Sequence, residues 1–199
     1  DLIDHFETRS KTQPGKALIV GMSRDICARL YKELIAIKPE WHDTDHRKGG
    51  IKVVMTASAS DAQHLQQHHT SKQQKKDLEK RFKDPSDELK IVIVRDMWLT
   101  GFDAPCLTTM YVDKPMKGAN LAQAIARVNR VFADKPGGLI VDYIGIAPQL
   151  KEALATYSAA KGKGRPTVDT SEALKILEEK LMVARDLLYP VDWLEFRKK

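Results

Sequence analysis

Leu89-Lys-Ile-Val-Ile-Val94 restricts what this chain can become more than any other segment. Its β-branched residues show no clean polar alternation, a pattern that suits a strand covered on both faces. Ala17-Leu-Ile-Val20, Ile51-Lys-Val-Val-Met-Thr56, Leu107 to Val112 and Gly138-Leu-Ile-Val-Asp142 are further short apolar runs. Helical spacing fills the intervals between them. Ser23 can cap one helix with Asp25 in its first turn; Ile26, Leu30, Leu34 and Ile37 give it a buried stripe, and Pro39 ends it. Polar residues from Asp61 to Phe82 predict one broken helix or two short ones. Strand and helix alternate throughout, so an α/β fold with a parallel sheet and right-handed crossovers is expected.

The most chemically pointed segment is Gln123-Ala-Ile-Ala-Arg127-Val-Asn-Arg130. Read as a helix from about Asn120, it has two faces. Leu121, Ile125 and Val128 form an apolar stripe that can dock on a core, and Gln123, Arg127 and Arg130 fall at i, i+4 and i+7 on the other side. Forked guanidinium donors suit the oxygens of a transferring phosphoryl group.

Composition sets the bounds. The chain has 199 residues, of which 42% are hydrophobic, enough for one good core with a small appendage. No apolar run approaches the ~18 residues of a membrane span. Asp1-Leu-Ile-Asp-His-Phe has no initiator Met, basic n-region or apolar h-region, so it reads as a cut inside a larger protein and not as a signal peptide. Cys27 and Cys106 form no disulfide framework and suit a reducing cytoplasm. A net charge of +6 leans towards an anionic partner.

In open parallel sheets, ligands bind beyond the carboxyl ends of the strands. Arg95-Asp-Met-Trp-Leu-Thr100-Gly-Phe-Asp-Ala-Pro105 leaves the Ile91–Val94 strand there. Gly101 lets backbone approach a ligand, Asp103 supplies a carboxylate, and Pro105 stiffens the exit. This loop and the arginine helix are expected to arise from neighbouring strands, on the same edge of the sheet.

These two segments resemble motifs V and VI of the second RecA-like motor domain of superfamily 2 helicases and translocases. Motif VI has the form Q-x-x-G-R-x-x-R; Gln123, Arg127 and Arg130 match, and Ala126 replaces the glycine. Gly101, Asp103 and Pro105 match the end of motif V, where Thr100 stands at a position often held by arginine in RNA helicases. Lys16-Ala-Leu-Ile-Val-Gly-Met-Ser-Arg24 is similar to motif IV. In wording, the blocks look like the restriction (R) subunit of type I restriction-modification enzymes, over roughly residues 1–160.

The resemblance implies a RecA-like motor domain over 17–160. Residues 1–16 are expected to form an N-terminal linker segment, a short amphipathic stretch followed by the turn-forming Ser10-Lys-Thr-Gln-Pro-Gly15, with 161–170 a flexible basic linker and 171–199 the start of a helical C-terminal region. It further implies that Arg127 and Arg130 reach the phosphates of an ATP held by the first motor domain, with Gln123 in the same network. Gly101, Asp103 and Thr100 would lie against the nucleotide, and Arg95 and Arg24 against DNA phosphates. The parent would translocate on double-stranded DNA, cleave it, and assemble with methylation and specificity subunits in the cytoplasm. The chain contains no G-x-x-x-x-G-K-[ST] loop and no D-E-x-[HD] box, so ATP and Mg²⁺ are expected in the parent enzyme and not on this chain alone. Two other readings compete: the second motor domain of another superfamily 2 remodelling enzyme, or a non-catalytic domain that binds nucleic acid or a partner.

Other temptations read more simply. His64 and His68 at i, i+4 lack a third metal ligand, and Trp41-His-Asp-Thr-Asp-His46 reads as a polar loop. Glu88-Leu-Lys90 echoes a nuclease motif without the acidic residue such a motif needs. Lys75, Lys76, Lys80 and Arg81, interleaved with Asp77 and Glu79, suit a paired surface. Trp98 and Phe102 could contact adenine or DNA, or be buried against the sheet.

Overall fold

The computed structural model describes residues 1–99, 101–130 and 137–159. These belong to the unit Asp1–Ala160. Thr100, the basic segment 161–170 and the helix expected over 171–199 lie outside the described residues.

Five strands form one all-parallel sheet: β1 Lys16–Gly21, β2 Ile51–Val54, β3 Ile91–Val94, β4 Leu107–Asp113 and β5 Leu139–Asp142, in the order β2-β3-β1-β4-β5. The helices are α1 Leu2–Thr12, α2 Arg24–Ile37, α3 Gln63–Gln66, α4 Lys72–Lys83, α5 Gly118–Val128 and α6 Ala147–Ala159. This is the layered α/β architecture expected of a RecA-like domain.

All residues of β1, β2 and β3 are buried, as the unalternating apolar runs require. Alternate strand residues feed two separate cores. Leu18, Val20, Val92, Val94, Met110 and Val112 face α4, α5 and the β3–β4 connection. Ala17, Ile19, Ile91, Ile93 and Tyr111 face α1 and α2. Ser23 caps α2 by accepting from the Ile26 N–H, as the sequence predicts.

Two expectations change. The amphipathic stretch at the start of residues 1–16 is an 11-residue helix that runs on to Thr12, into residues expected to turn. Ile3 and Phe6 of α1 bury in the second core, while His5 Nδ1 lies 2.8 Å from the Tyr111 hydroxyl and Arg9 Nε donates to Thr109 Oγ1 at 3.0 Å. Strand order also differs, because β1 lies between β3 and β4. The motif V loop and the arginine helix therefore do not leave neighbouring strands.

Candidate functional site

The β3–β4 connection runs from the carboxyl end of one strand to the amino end of the other. Cys106, at its exit, accepts the Lys16 N–H at the start of β1 (2.9 Å), so the residues just before it lie at the amino ends of the strands. The connection is pinned by aromatics. Trp98 stacks on Phe102 with centroids 4.3 Å apart and planes 8° from parallel, and Phe82 of α4 lies alongside both. Trp98 and Phe102 are thus buried core residues, not exposed ligand contacts. The stack holds Trp98 at φ 67°, a conformation a bulky residue adopts only under surrounding constraint. Gly101 has φ +69° with open space where a Cβ would point, so it turns the backbone without filling the surface.

Helix α5 travels back antiparallel to the strands and delivers its last residues to the same amino end. Leu121, Ala124, Ile125 and Val128 are buried, confirming the apolar stripe. Gln123 is exposed and Arg127 half-buried. The helix stops at Val128, however, so Arg130 lies beyond it and not on an i+7 face. Asn129 ends it with φ −91° and ψ 19°, and its side-chain Oδ1 accepts the Gly138 N–H at 3.3 Å. A Cβ on Gly138 would fall 2.2 Å from the Val128 carbonyl oxygen; only glycine lets β5 begin so close to the end of the helix.

The two predicted motifs meet here. Arg130 Nη1 donates to Asp103 Oδ2 at 2.6 Å, with both side chains nearly half exposed, 44% and 46%. The other oxygen of this carboxylate, Asp103 Oδ1, and Arg127 Nε in the last turn of α5 are buried and have no hydrogen-bond partner among the described residues. A buried guanidinium N–H left unmatched is costly, and an incoming anion would satisfy it. The site therefore lies at the amino ends of the strands and not at the carboxyl ends, because α5 has to return there before β5 can start.

The opposite edge carries the other candidates. Arg95, just past β3, is 52% exposed and pairs with Asp96 at 3.1 Å. Lys114, just past β4, also reaches Asp96 and donates to the Arg95 carbonyl at 3.1 Å. Exposed Met22 follows the end of β1. Arg24 is engaged internally: its two terminal nitrogens meet Asp61 at 2.6 and 2.7 Å, and Nη1 also donates to the Thr56 carbonyl. Arg24, with the Ser58 N–H and His69, holds the Asp61 carboxyl down to about 2. Arg24, expected against DNA, ties α2 to the loop after β2 in this structure.

The remaining basic and histidine residues do structural work. Arg81 pairs with Asp87 and donates to the carbonyls of His46, Lys48 and Gly49, so it fastens the 42–50 loop and does not belong to a solvated stripe. His64 meets Asp25 at 2.7 Å, while His68 is buried edge-on to Tyr31. Among the described residues no group of three or more His, Cys, Asp or Glu could hold a metal, and no helix is long and apolar enough to cross a membrane.

Three residues here were not singled out from sequence: Gly138, Lys114 and Asp96. The Gly137-Gly138 pair before a strand is a legible sign of close backbone approach. Lys114 and Asp96 carry no local signal, since their meeting depends on strand order.

Residues 13–145 match the family described as type I restriction enzyme subunit R domain 3. The type I restriction enzyme HindI endonuclease subunit of Haemophilus influenzae is 54% identical over 190 residues, covering 94% of this chain and 18% of that protein. A Methanocaldococcus jannaschii protein, named provisionally as the type I restriction enzyme MjaIXP endonuclease subunit, is 51% identical over 164 residues, 82% of this chain and 15% of its own length. A solved fragment from Vibrio vulnificus YJ016, titled provisionally as an HsdR subunit of a type I restriction enzyme, aligns with a TM-score of 0.46 at 16% identity, over 74% of this chain and 26% of that one. The chain spans less than a fifth of the length of these two curated relatives.

Proposed function

The chain belongs to the R-subunit family of type I restriction enzymes, within its domain 3, and on that footing we propose that it is the second motor domain of a DNA-translocating endonuclease. In this reading Arg127 and Arg130 supply positive charge to the phosphates of an ATP bound chiefly by another domain of the parent. Gln123 joins them from the exposed side of α5, and Gly101 and Asp103 border the nucleotide. Thr100 would stand beside them. Arg95 is the DNA-phosphate contact; Arg24 could serve only by releasing Asp61.

The observation that carries the reading is the junction of the two motifs, Arg130 on Asp103 at 2.6 Å, with Arg127 Nε, three residues earlier in the chain, buried and without a partner. These residues fit an incoming triphosphate, because the Arg127 Nε–H is left unmatched and the Arg130 guanidinium is nearly half exposed. Bound ATP would bring the phosphoryl chemistry; this chain's part is to orient and neutralise charge. No residue here is assigned to Mg²⁺. Methylation and specificity subunits would be partners of the whole enzyme.

Arg127→Ala in the full-length enzyme is expected to lower ATP turnover by about 10³- to 10⁵-fold while duplex DNA binding persists. Turnover within a few-fold of the parent would sink the proposal.

A further inference from the structure

The carboxyl edge of the sheet holds an arrangement that neither the arginine motif nor the family match assigns. Because the strand order is β3-β1-β4, the residues just past β3 and just past β4 stand on either side of the end of β1. Arg95 and Lys114 occupy these places, and the Asp96 carboxylate bridges them. Its Oδ2 takes Arg95 Nη1 at 3.1 Å, and its Oδ1 takes the Lys114 ammonium. One oxygen goes to each cation, as two non-bridging oxygens of a phosphodiester would. The Lys114 side chain is only 19% exposed and is steadied by the Arg95 carbonyl, so the seat is partly organised in advance.

We propose that Arg95 and Lys114 form a two-point seat for one backbone phosphate of duplex DNA, and that Asp96 fills it as an internal stand-in until DNA displaces it. The proposal rests on the reading that this edge meets DNA, and adds to it one further phosphate contact and one internal competitor. Arg95 and Asp96 are each more than half exposed, so their pairing is screened by solvent and weak enough to exchange. A duplex offers a row of phosphates and releases condensed counterions on binding, an advantage that a free small anion lacks. Asp96 therefore keeps the seat closed to stray anions without barring the polyanion.

The test uses the full-length R subunit and a fluorescein-labelled duplex of arbitrary sequence, with anisotropy titrations across a salt series. Asp96→Asn is isosteric and is expected to tighten binding about two- to fivefold, the worth of an exposed pair. Lys114→Gln should weaken binding, and Lys114→Gln together with Arg95→Gln should make the log–log salt slope shallower by about 0.9, one phosphate's share. Glu40→Gln, in the turn Pro39–Trp41 that follows α2, removes the same charge and serves as the control for net charge. Asp96→Asn binding no tighter than Glu40→Gln, Lys114→Gln binding as tightly as the parent, or the double variant leaving the slope unchanged, would overturn the proposal. Arg95→Gln without effect would remove the DNA reading of this edge and the proposal with it. ATP turnover that survives Arg127→Ala would instead strike the motor reading and leave the affinity ranking as evidence for the seat, so the failures are distinguishable.

Discussion

Individual side chains here divide into those that brace the fold and those that leave chemistry unfinished. Arg24, Arg81 and Lys52 all brace: Lys52 Nζ, though buried, donates to the Asp43 and Asp45 carbonyls, and Arg81 holds three more carbonyls of the same loop. His68 braces differently, through its ring against Tyr31, and burial, with nearby His64, Lys52, His42 and His69, pushes its imidazole down to about 4 from 6.5. The unfolded chain therefore binds a proton in this interval that the folded chain refuses. Stability rises with pH across the window and is lost as pH falls from 6.5 towards 4. His68→Phe keeps a ring on Tyr31 and removes the titration. Its melting temperature, followed by calorimetry, should decline less than the parent's over that window; equal slopes would assign the acid sensitivity to other groups.

Among the elements, the β3–β4 connection bears the most consequence, because it carries Arg95 and Asp96 at one end and Asp103 at the other. What fixes it is an aromatic stack and not a hydrogen-bonded ladder. Phe102 is 4% exposed, with the Lys83 ammonium 5.2 Å from the centre of its ring and Trp98 against its face. Phe102→Ala removes that support and should destabilise by about 3–5 kcal/mol in urea denaturation. A loss below about 1 kcal/mol would mean that the loop is held by other contacts. Helix α5 is the complementary element. Its apolar stripe anchors one side, while Gly138 sets how near the following strand begins, and together they fix where Arg127 and Arg130 emerge.

For the molecule as a whole, the two ends of one sheet present different surfaces. The amino ends gather Arg127, Arg130 and Asp103, and the carboxyl ends gather Arg95, Asp96 and Lys114. In the proposed reading a single domain faces a nucleotide and a nucleic acid at once, about one strand length apart, joined by one packed loop. In the proposed reading neither surface completes a catalytic site, since the phosphate-cradling loop of motor enzymes is absent from the sequence. Purified on its own, the 199-residue chain is expected to release no phosphate from ATP above buffer, with or without DNA. DNA-stimulated release in a malachite-green assay would contradict the division of labour proposed between domains.

Sequence by itself determined the class of fold, the five strands and the buried stripe of the arginine helix, because apolar periodicity reports which face of an element must leave water. It also gave the pairing of motif residues: Gly101, Asp103, Arg127 and Arg130 come from segments that do meet. Tertiary structure alone decided at which end they meet, that α5 stops two residues short of Arg130, that α1 joins the core, and that Arg24 is taken by Asp61. The physical reason is distance along the chain. Arg24 and Asp61 are 37 residues apart, Arg130 and Asp103 are 27 apart, and Asp96 reaches Lys114 across 18. Local pattern carries no record of strand order, and strand order chooses which charged side chain finds which partner.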